Sequence, residues 1–124
     1  MKKLELLNEI AAEVVKCTAC VLHKDRTQTV FAKGNPDSPI VFVGEAPGFN
    51  EDQQGLPFVG RAGMLLDNMI KAMKFDPKDV YICNVNKCRP PNNRKPTEDE
   101  MNSCKPFLVR QLDVVKPKVI VALG

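Results

Sequence analysis

Three short apolar runs, separated by stretches of helical periodicity, limit what this chain can fold into. Ile40-Val41-Phe42-Val43 is bounded by Pro39 and Gly44. Val80-Tyr81-Ile82-Cys83 is the second run and Lys118-Val119-Ile120-Val121-Ala122-Leu123 the third. Runs this short and this rich in β-branched residues read as buried strands. Between the first two, Leu65, Leu66, Met69, Ile70 and Met73 recur at helical spacing over 61–74. Between the second and third, Thr97-Glu98-Asp99-Glu100 has the form of a capping box, which predicts a helix from Thr97 to about Val114, stopped by Pro117. An amphipathic helix over 4–15 precedes all of this, with Leu4, Leu7, Ile10, Ala11 and Val14 on one side. Residues 16–39 are polar and read as loops. The alternation predicts an α/β fold with a parallel sheet of three strands and right-handed crossovers. In such sheets ligands sit beyond the carboxyl ends of the strands. The loops there are Gly44–Gly60 and Asn84–Pro96.

The length of 124 residues suits one domain, residues 1–124, and excludes a multidomain enzyme. Hydrophobic residues at 44% exclude wholesale disorder. The formal charge of +3 permits a polyanionic partner without requiring one. No apolar run approaches the ~20 residues that cross a membrane. Acidic residues interrupt the first nine positions, so no signal peptide is read there, and a cytosolic, reducing setting is expected.

Five cysteines is a high count for this size: Cys17, Cys20, Cys83, Cys88 and Cys104. Cys83 sits in the second apolar run and reads as a small buried residue. The other four, spaced C-x2-C-x67-C-x15-C, are compatible with a zinc site or an iron–sulfur cluster, since both take four thiolates. A thioredoxin-like redox pair would open a helix after a strand, whereas Cys17-Thr18-Ala19-Cys20 follows a helix. His23 lies near that pair but is not needed where four thiols suffice.

The chemistry-bearing loops admit bland and specific readings. Gly44-Glu45-Ala46-Pro47-Gly48 is either a plain turn or a loop whose glycines let backbone N–H groups approach a ligand; it matches neither dinucleotide nor P-loop fingerprints. Phe58, just ahead of a helix, is either a core aromatic or a stacking platform for a flat ligand. Arg61 and the adjoining helix start could hold a phosphate. Asn84 and Asn86 are either turn formers or amides offering a donor and an acceptor to a base edge. Lys87, Arg89, Arg94 and Lys95 form a basic loop, solvated or in contact with phosphates.

Taken in order and at these spacings, Cys17-x-x-Cys20, Gly44-Glu45-Ala46-Pro47-Gly48, Glu51-Asp52, Pro57-Phe58-Val59-Gly60-Arg61-Ala62-Gly63, Asn84-x-x-Lys87-Cys88-Arg89-Pro90-Pro91 and Cys104-x-Pro106-Phe107-Leu108 resemble the iron–sulfur (family four) uracil-DNA glycosylases. The resemblance runs from Cys17 to Gly124. It implies a three-layer α/β/α fold and a [4Fe–4S] cluster of structural role on Cys17, Cys20, Cys88 and Cys104. It implies that Gly44, Glu45, Ala46, Pro47 and Gly48 surround an extruded uracil, Glu45 positioning the attacking water and the Ala46 N–H facing the base. Glu51 would stand where a thymine methyl would have to go, Phe58 would stack on uracil, and Asn84 would read its O4 and N3 edge. The implied partner is uracil-containing DNA, acted on by a cytoplasmic monomer with nucleoid DNA as substrate, and the implied reaction is base flipping followed by hydrolysis of the N-glycosidic bond.

The family pattern continues beyond Ala122-Leu123-Gly124 with a further strand, helices and a His-Pro-Ser loop. The expectation is therefore a sheet truncated after its third strand. Two functions compete: a glycosylase, or a non-catalytic iron–sulfur module of the same superfamily that binds DNA or a partner. A zinc domain of unrelated role is the third reading.

Overall fold

The computed structural model describes residues 2–19 and 21–123. Helix α1 (Lys2–Val15) buries Leu7, Ile10 and Val14, one stripe at helical spacing. A 3₁₀ turn (Val21–Lys24) leads to strand β1 (Ala32–Gly34) and then to β2 (Ile40–Gly44). Helices α2 (Phe49–Gln54) and α3 (Arg61–Ala72) follow, then β3 (Tyr81–Asn84), α4 (Glu98–Val115) and β4 (Val119–Ala122).

The four strands form one sheet in the order β1-β3-β2-β4. The three strands read from the sequence are mutually parallel, with β2 at the centre. The expectation of a purely parallel, three-stranded sheet is corrected by β1, which pairs antiparallel with β3 and covers that edge. Its Ala-Lys-Gly sequence has no strand signature; the segment is extended because β3 supplies its hydrogen-bond partners. At the other edge, Val119 and Ile120 of β4 are about half exposed.

Period-2 alternation divides the sheet into two apolar faces. Val41, Val43, Tyr81 and Cys83 pack with Leu7 of α1 and with Leu108 and Val115 of α4. Phe42, Val80 and Ile82 pack with Leu66 and Ile70 of α3 on the opposite face. The result is three layers, α/β/α. Each fully buried aliphatic side chain contributes about 1.5–3 kcal/mol. The capping box of α4 forms as expected: Glu100 N donates to Thr97 Oγ1 at 3.2 Å, and Thr97 N to Glu100 Oε1 at 2.9 Å.

This connectivity places the site. From β2 the chain crosses by α3 to β3 on one side; from β3 it crosses back by α4 to β4 on the other. The two crossovers diverge to opposite faces, which opens a crevice at the carboxyl ends of β2 and β3. Gly44 and Asn84, the last residues of those strands, are register partners at its base.

Candidate functional site

A cavity of about 230 Å³ opens at that crevice, lined by Ala46, Gly48, Glu51, Phe58, Ala62 and Asn84. Asn84 is 2% exposed, and no donor among the described residues reaches its Oδ1. A buried amide oxygen without a partner is costly, on the order of 1–3 kcal/mol, and this one lies in the wall of a cavity.

Two glycines let Phe58 stand beside it. A Cβ on Gly44 would lie 2.5 Å from Phe58 Cζ and 2.4 Å from Asn84 Oδ1. A Cβ on Gly63 would lie 1.8 Å from the Phe58 carbonyl oxygen. Phe58 itself has φ +53°, a left-handed conformation that costs a non-glycine residue energy and needs support from its surroundings. Support comes from Lys33 Nζ, which donates to the Phe58 carbonyl at 3.0 Å.

Glu51 ties both walls together. Its Oε1 accepts from Gly48 N at 2.9 Å, and its Oε2 from Val59 N at 3.0 Å and Gly60 N at 2.9 Å. Burial pushes the Glu51 carboxyl up, but these backbone donors outweigh it and hold the group below the usual carboxylate range. The segment read as loop from Gly44 to Gly60 thus contains a helix, α2, whose N-terminal turn Glu51 caps. The helix start proposed for phosphate beside Arg61 already faces the Glu51 carboxylate. On the next residue of α2, buried Asp52 accepts from Thr27 N at 2.9 Å and pins the polar segment before β1.

Glu45 is not among the residues lining the cavity. Its carboxylate pairs with exposed Lys95 at 3.4 Å, while its carbonyl accepts from Asn86 N at 2.9 Å, continuing the β2–β3 ladder into the loops. Pro47 is buried between these and the cavity-lining Gly48.

The basic loop is corrected by the structure at two positions. Lys87 is fully buried and faces no solvent. Arg94 is exposed, but its guanidinium makes a two-point bond to Glu100 at 2.7 and 2.8 Å. That pair holds Glu100, otherwise disfavoured by burial, down to about 2. Arg89 lies over the Phe49 ring at 5.4 Å and donates to Asn93 Oδ1 at 2.6 Å. Lys95 remains exposed, paired with Glu45.

A second cavity lies behind the β3 exit loop. Cys17, Cys88 and Cys104 line it together with His23, Arg26, Asn86 and others. Each sulfur accepts an N–H: Ala19 N to Cys17 at 3.5 Å, Arg26 Nη1 to Cys88 at 3.1 Å, and Lys87 N to Cys104 at 3.3 Å. Arg26 also donates to the Val15 and Cys17 carbonyls at the end of α1. Burial pushes the Cys104 thiol up to about 11, opposed by the Lys87 N–H and charge, so a bound cation is what would hold it as thiolate at neutral pH. Soft sulfur donors bearing N–H···S bonds fit a thiolate-held metal group. Among the described residues no three His, Cys, Asp or Glu side chains stand at metal-binding separations, and Cys20, expected as a ligand, lies outside the described residues. Cys83 is fully buried in β3 within the α1–α4 core.

Sequence reasoning missed Asp52, Lys87 and Gln111 as fully buried polar residues. Only their places beside the glycine loop, the cysteine motif and the apolar stripe of α4 hinted at them.

The profile of the uracil DNA glycosylase superfamily matches residues 31–124. The chain belongs to that superfamily. It is 55% identical over 120 residues to the type-4 uracil-DNA glycosylase of Thermotoga maritima, covering 97% of this chain and 62% of that protein. It is 52% identical to the type-4 enzymes of Archaeoglobus fulgidus and Sulfurisphaera tokodaii, covering 98% of this chain in each case, and 61% and 56% of those proteins. The chain therefore spans roughly three-fifths of the length of these relatives. The superfamily assignment agrees with the α/β layers. Among the described residues no helix is long and apolar enough to cross a membrane.

Proposed function

We propose that this chain receives an extruded uracil of DNA in the β2–β3 crevice and hydrolyses its N-glycosidic bond. The observation that carries the reading is the buried, unpartnered Oδ1 of Asn84 in a cavity that Phe58 also lines. Uracil presents an N3–H donor beside its O4 acceptor, so one amide orientation satisfies both: Oδ1 accepts from N3–H and Nδ2 donates to O4. Cytosine reverses both, and the same amide then meets like with like. A ring stacked on Phe58 gains about 1–3 kcal/mol, which offsets part of the unstacking cost of flipping.

Bond cleavage leaves its electron pair on uracil and oxocarbenium character on the sugar. The Ala46 N–H and the Asn84 amide, directed at the base edge, stabilise the departing anion. Water adds its oxygen to C1′. Glu45 orients that water and takes its proton, which leaves by solvent to the uracil anion. The Lys95–Glu45 pair opens as Lys95 turns to a phosphate. Cys17, Cys20, Cys88 and Cys104 would hold a [4Fe–4S] cluster, whose role there would be structural. The resemblance of the Cys17-x-x-Cys20, Cys88 and Cys104 motifs to the iron–sulfur glycosylases favours this cluster over zinc. The cell compartment is the cytoplasm, and the acting form is a monomer.

The test is alkaline cleavage of an oligonucleotide carrying one uracil, after incubation with anaerobically prepared chain. Strand cleavage at the uracil, lost in Phe58→Ala and relaxed toward cytosine in Asn84→Asp, is the expected result. Binding without cleavage would reduce the chain to a DNA-binding module.

A further inference from the structure

Lys87 is the largest fully buried side chain in the molecule's described part, and it takes part in none of the ion pairs found there. Its ammonium has three donors and the fold supplies three acceptors. Nζ donates to the Asn84 carbonyl at 2.7 Å, to Gln111 Oε1 at 2.7 Å and to the Phe31 carbonyl at 3.4 Å. Ala32 pairs with Cys83 at the end of the β1–β3 ladder, and Phe31 and Asn84 are the residues next along on the two strands. There the ammonium bridges the two main-chain carbonyls. Gln111 is fixed in turn, because its Nε2 donates to the Tyr81 hydroxyl at 2.8 Å.

The main chain of the same residue belongs to the thiol site. Lys87 N donates to Cys104 Sγ, and Lys87 is bonded directly to Cys88. Its carbonyl accepts from Val30 N at 2.7 Å, which holds the segment leading into β1. One residue thus touches two thiols with its backbone and the strand end bearing Asn84 with its side chain.

We propose that Lys87 is a positioning residue that couples the thiol site to the base-reading amide of Asn84. Any rearrangement of Cys88 and Cys104 moves the Lys87 backbone, and the ammonium then releases or reorients the Asn84 peptide. The direction of the Asn84 side chain follows that peptide. The inference rests on the reading of Asn84 as the base-edge reader. It assigns Lys87 to specificity rather than to phosphate contact, and makes the metal group a determinant of which base is accepted.

The test uses the ¹³C,¹⁵N-labelled chain loaded anaerobically with iron and sulfide, and follows the side-chain amide resonance of Asn84. Oxidative removal of the metal group is expected to shift that resonance while the methyl resonances of Leu66 and Ile70, on the far face of the sheet, stay in place. An unmoved Asn84 signal overturns the coupling, as does a shift shared equally by Leu66 and Ile70, which would mean general loosening. Lys87→Met, with iron content read by absorbance, is expected to shift the Asn84 resonance in the loaded chain. It should also lower the preference for free uracil over free cytosine by about ten- to a hundredfold, the scale of one lost charge-assisted hydrogen bond. A loaded Lys87→Met chain with wild-type resonance and wild-type preference overturns the proposal. Where Lys87→Met does not fold, the metal-removal experiment on the unaltered chain decides alone. A wild-type chain that binds neither base counts against uracil recognition, while the Asn84 resonance still reports on Lys87.

Discussion

The base pocket and the thiol site share the β3 exit loop but are built on opposite plans. Nearly all of the pocket comes from one stretch, residues 44–63, with Asn84 added from the neighbouring strand. Its walls are locked by charge-assisted backbone bonds of 2.9–3.0 Å onto Glu51 and by close approach at two glycines. The thiol site gathers residues 17, 26, 88 and 104 from distant segments, through N–H···S contacts of 3.1–3.5 Å. The first closes on its own hydrogen bonds. The second brings donors together whose full satisfaction requires a cation. Damage to the thiol site should therefore cost global stability, and damage to the pocket should cost recognition first.

The largest expected effect is at the thiol site. Structural zinc–thiolate sites contribute roughly 10–16 kcal/mol, against a typical total domain stability of about 5–15 kcal/mol. Cys104→Ser should lower the melting temperature sharply and expose residues 21–29 to protease, since that segment is held largely through Arg26 on Cys88 and Thr27 on Asp52. Thermal unfolding and limited proteolysis of the metal-loaded chain measure this. A variant that melts like its parent would show that the two sites do not differ in the way described.

Gly63→Ala comes next. The added Cβ would meet the Phe58 carbonyl oxygen, so the left-handed turn at Phe58 has to move. Overpacking of this kind costs about 1–3 kcal/mol. The loss should appear in uracil binding, measured by titration with the free base, out of proportion to the drop in melting temperature. Equal losses in both would mean that the pocket is not an independently supported unit.

The same contrast explains what could be read in advance. The parallel strands were legible because each is a short apolar run between turn residues, and α4 because Thr97 and Glu100 spell out its start. Strand β1 was not, since Ala32-Lys33-Gly34 is extended only through its pairing with β3. Helix α2 was not, since its six residues follow a glycine N-cap and depend on Glu51 reaching back. The pocket residues carry local motif signals: Ala46, Gly48, Glu51, Phe58 and Asn84 line one cavity, while Gly44, Glu45 and Pro47 are not among its lining residues. Lys87 misled because a lysine in a loop of Pro and Asn looks solvated. Its burial follows from three acceptors supplied by Phe31, Asn84 and Gln111, none near it in pattern and two of them far away in the chain.

A smaller effect is expected at Glu51. Glu51→Gln keeps the shape and removes the charge from three backbone contacts, a loss of about 1–3 kcal/mol. The Glu51 carboxyl is held below its ordinary value of 4.5 in the folded chain, and Glu100 lies at about 2. Their stabilising contributions are therefore complete above the unfolded value of about 4.5, and are lost as pH falls through the folded values. The melting temperature should decline from pH 4.5 toward pH 2, and Glu51→Gln should flatten part of that decline. A parallel decline in parent and variant would assign the acid sensitivity to Glu100 and other carboxylates instead.

The smallest effect separates the fifth thiol from the other four. Cys83 is fully buried against Val43, Tyr81 and Leu108, on the core side of β3, and burial pushes its thiol up. It packs as a small apolar residue. Cys83→Ala removes one sulfur from that core, a loss of about 1 kcal/mol on the scale of one buried methylene. It should leave iron per chain and uracil preference unchanged. Iron analysis beside a denaturation curve checks both quantities in one preparation. A drop in iron content with an intact fold would place Cys83 among the ligands, and the thiol site would then reach through β3 into the core instead of ending at the exit loop.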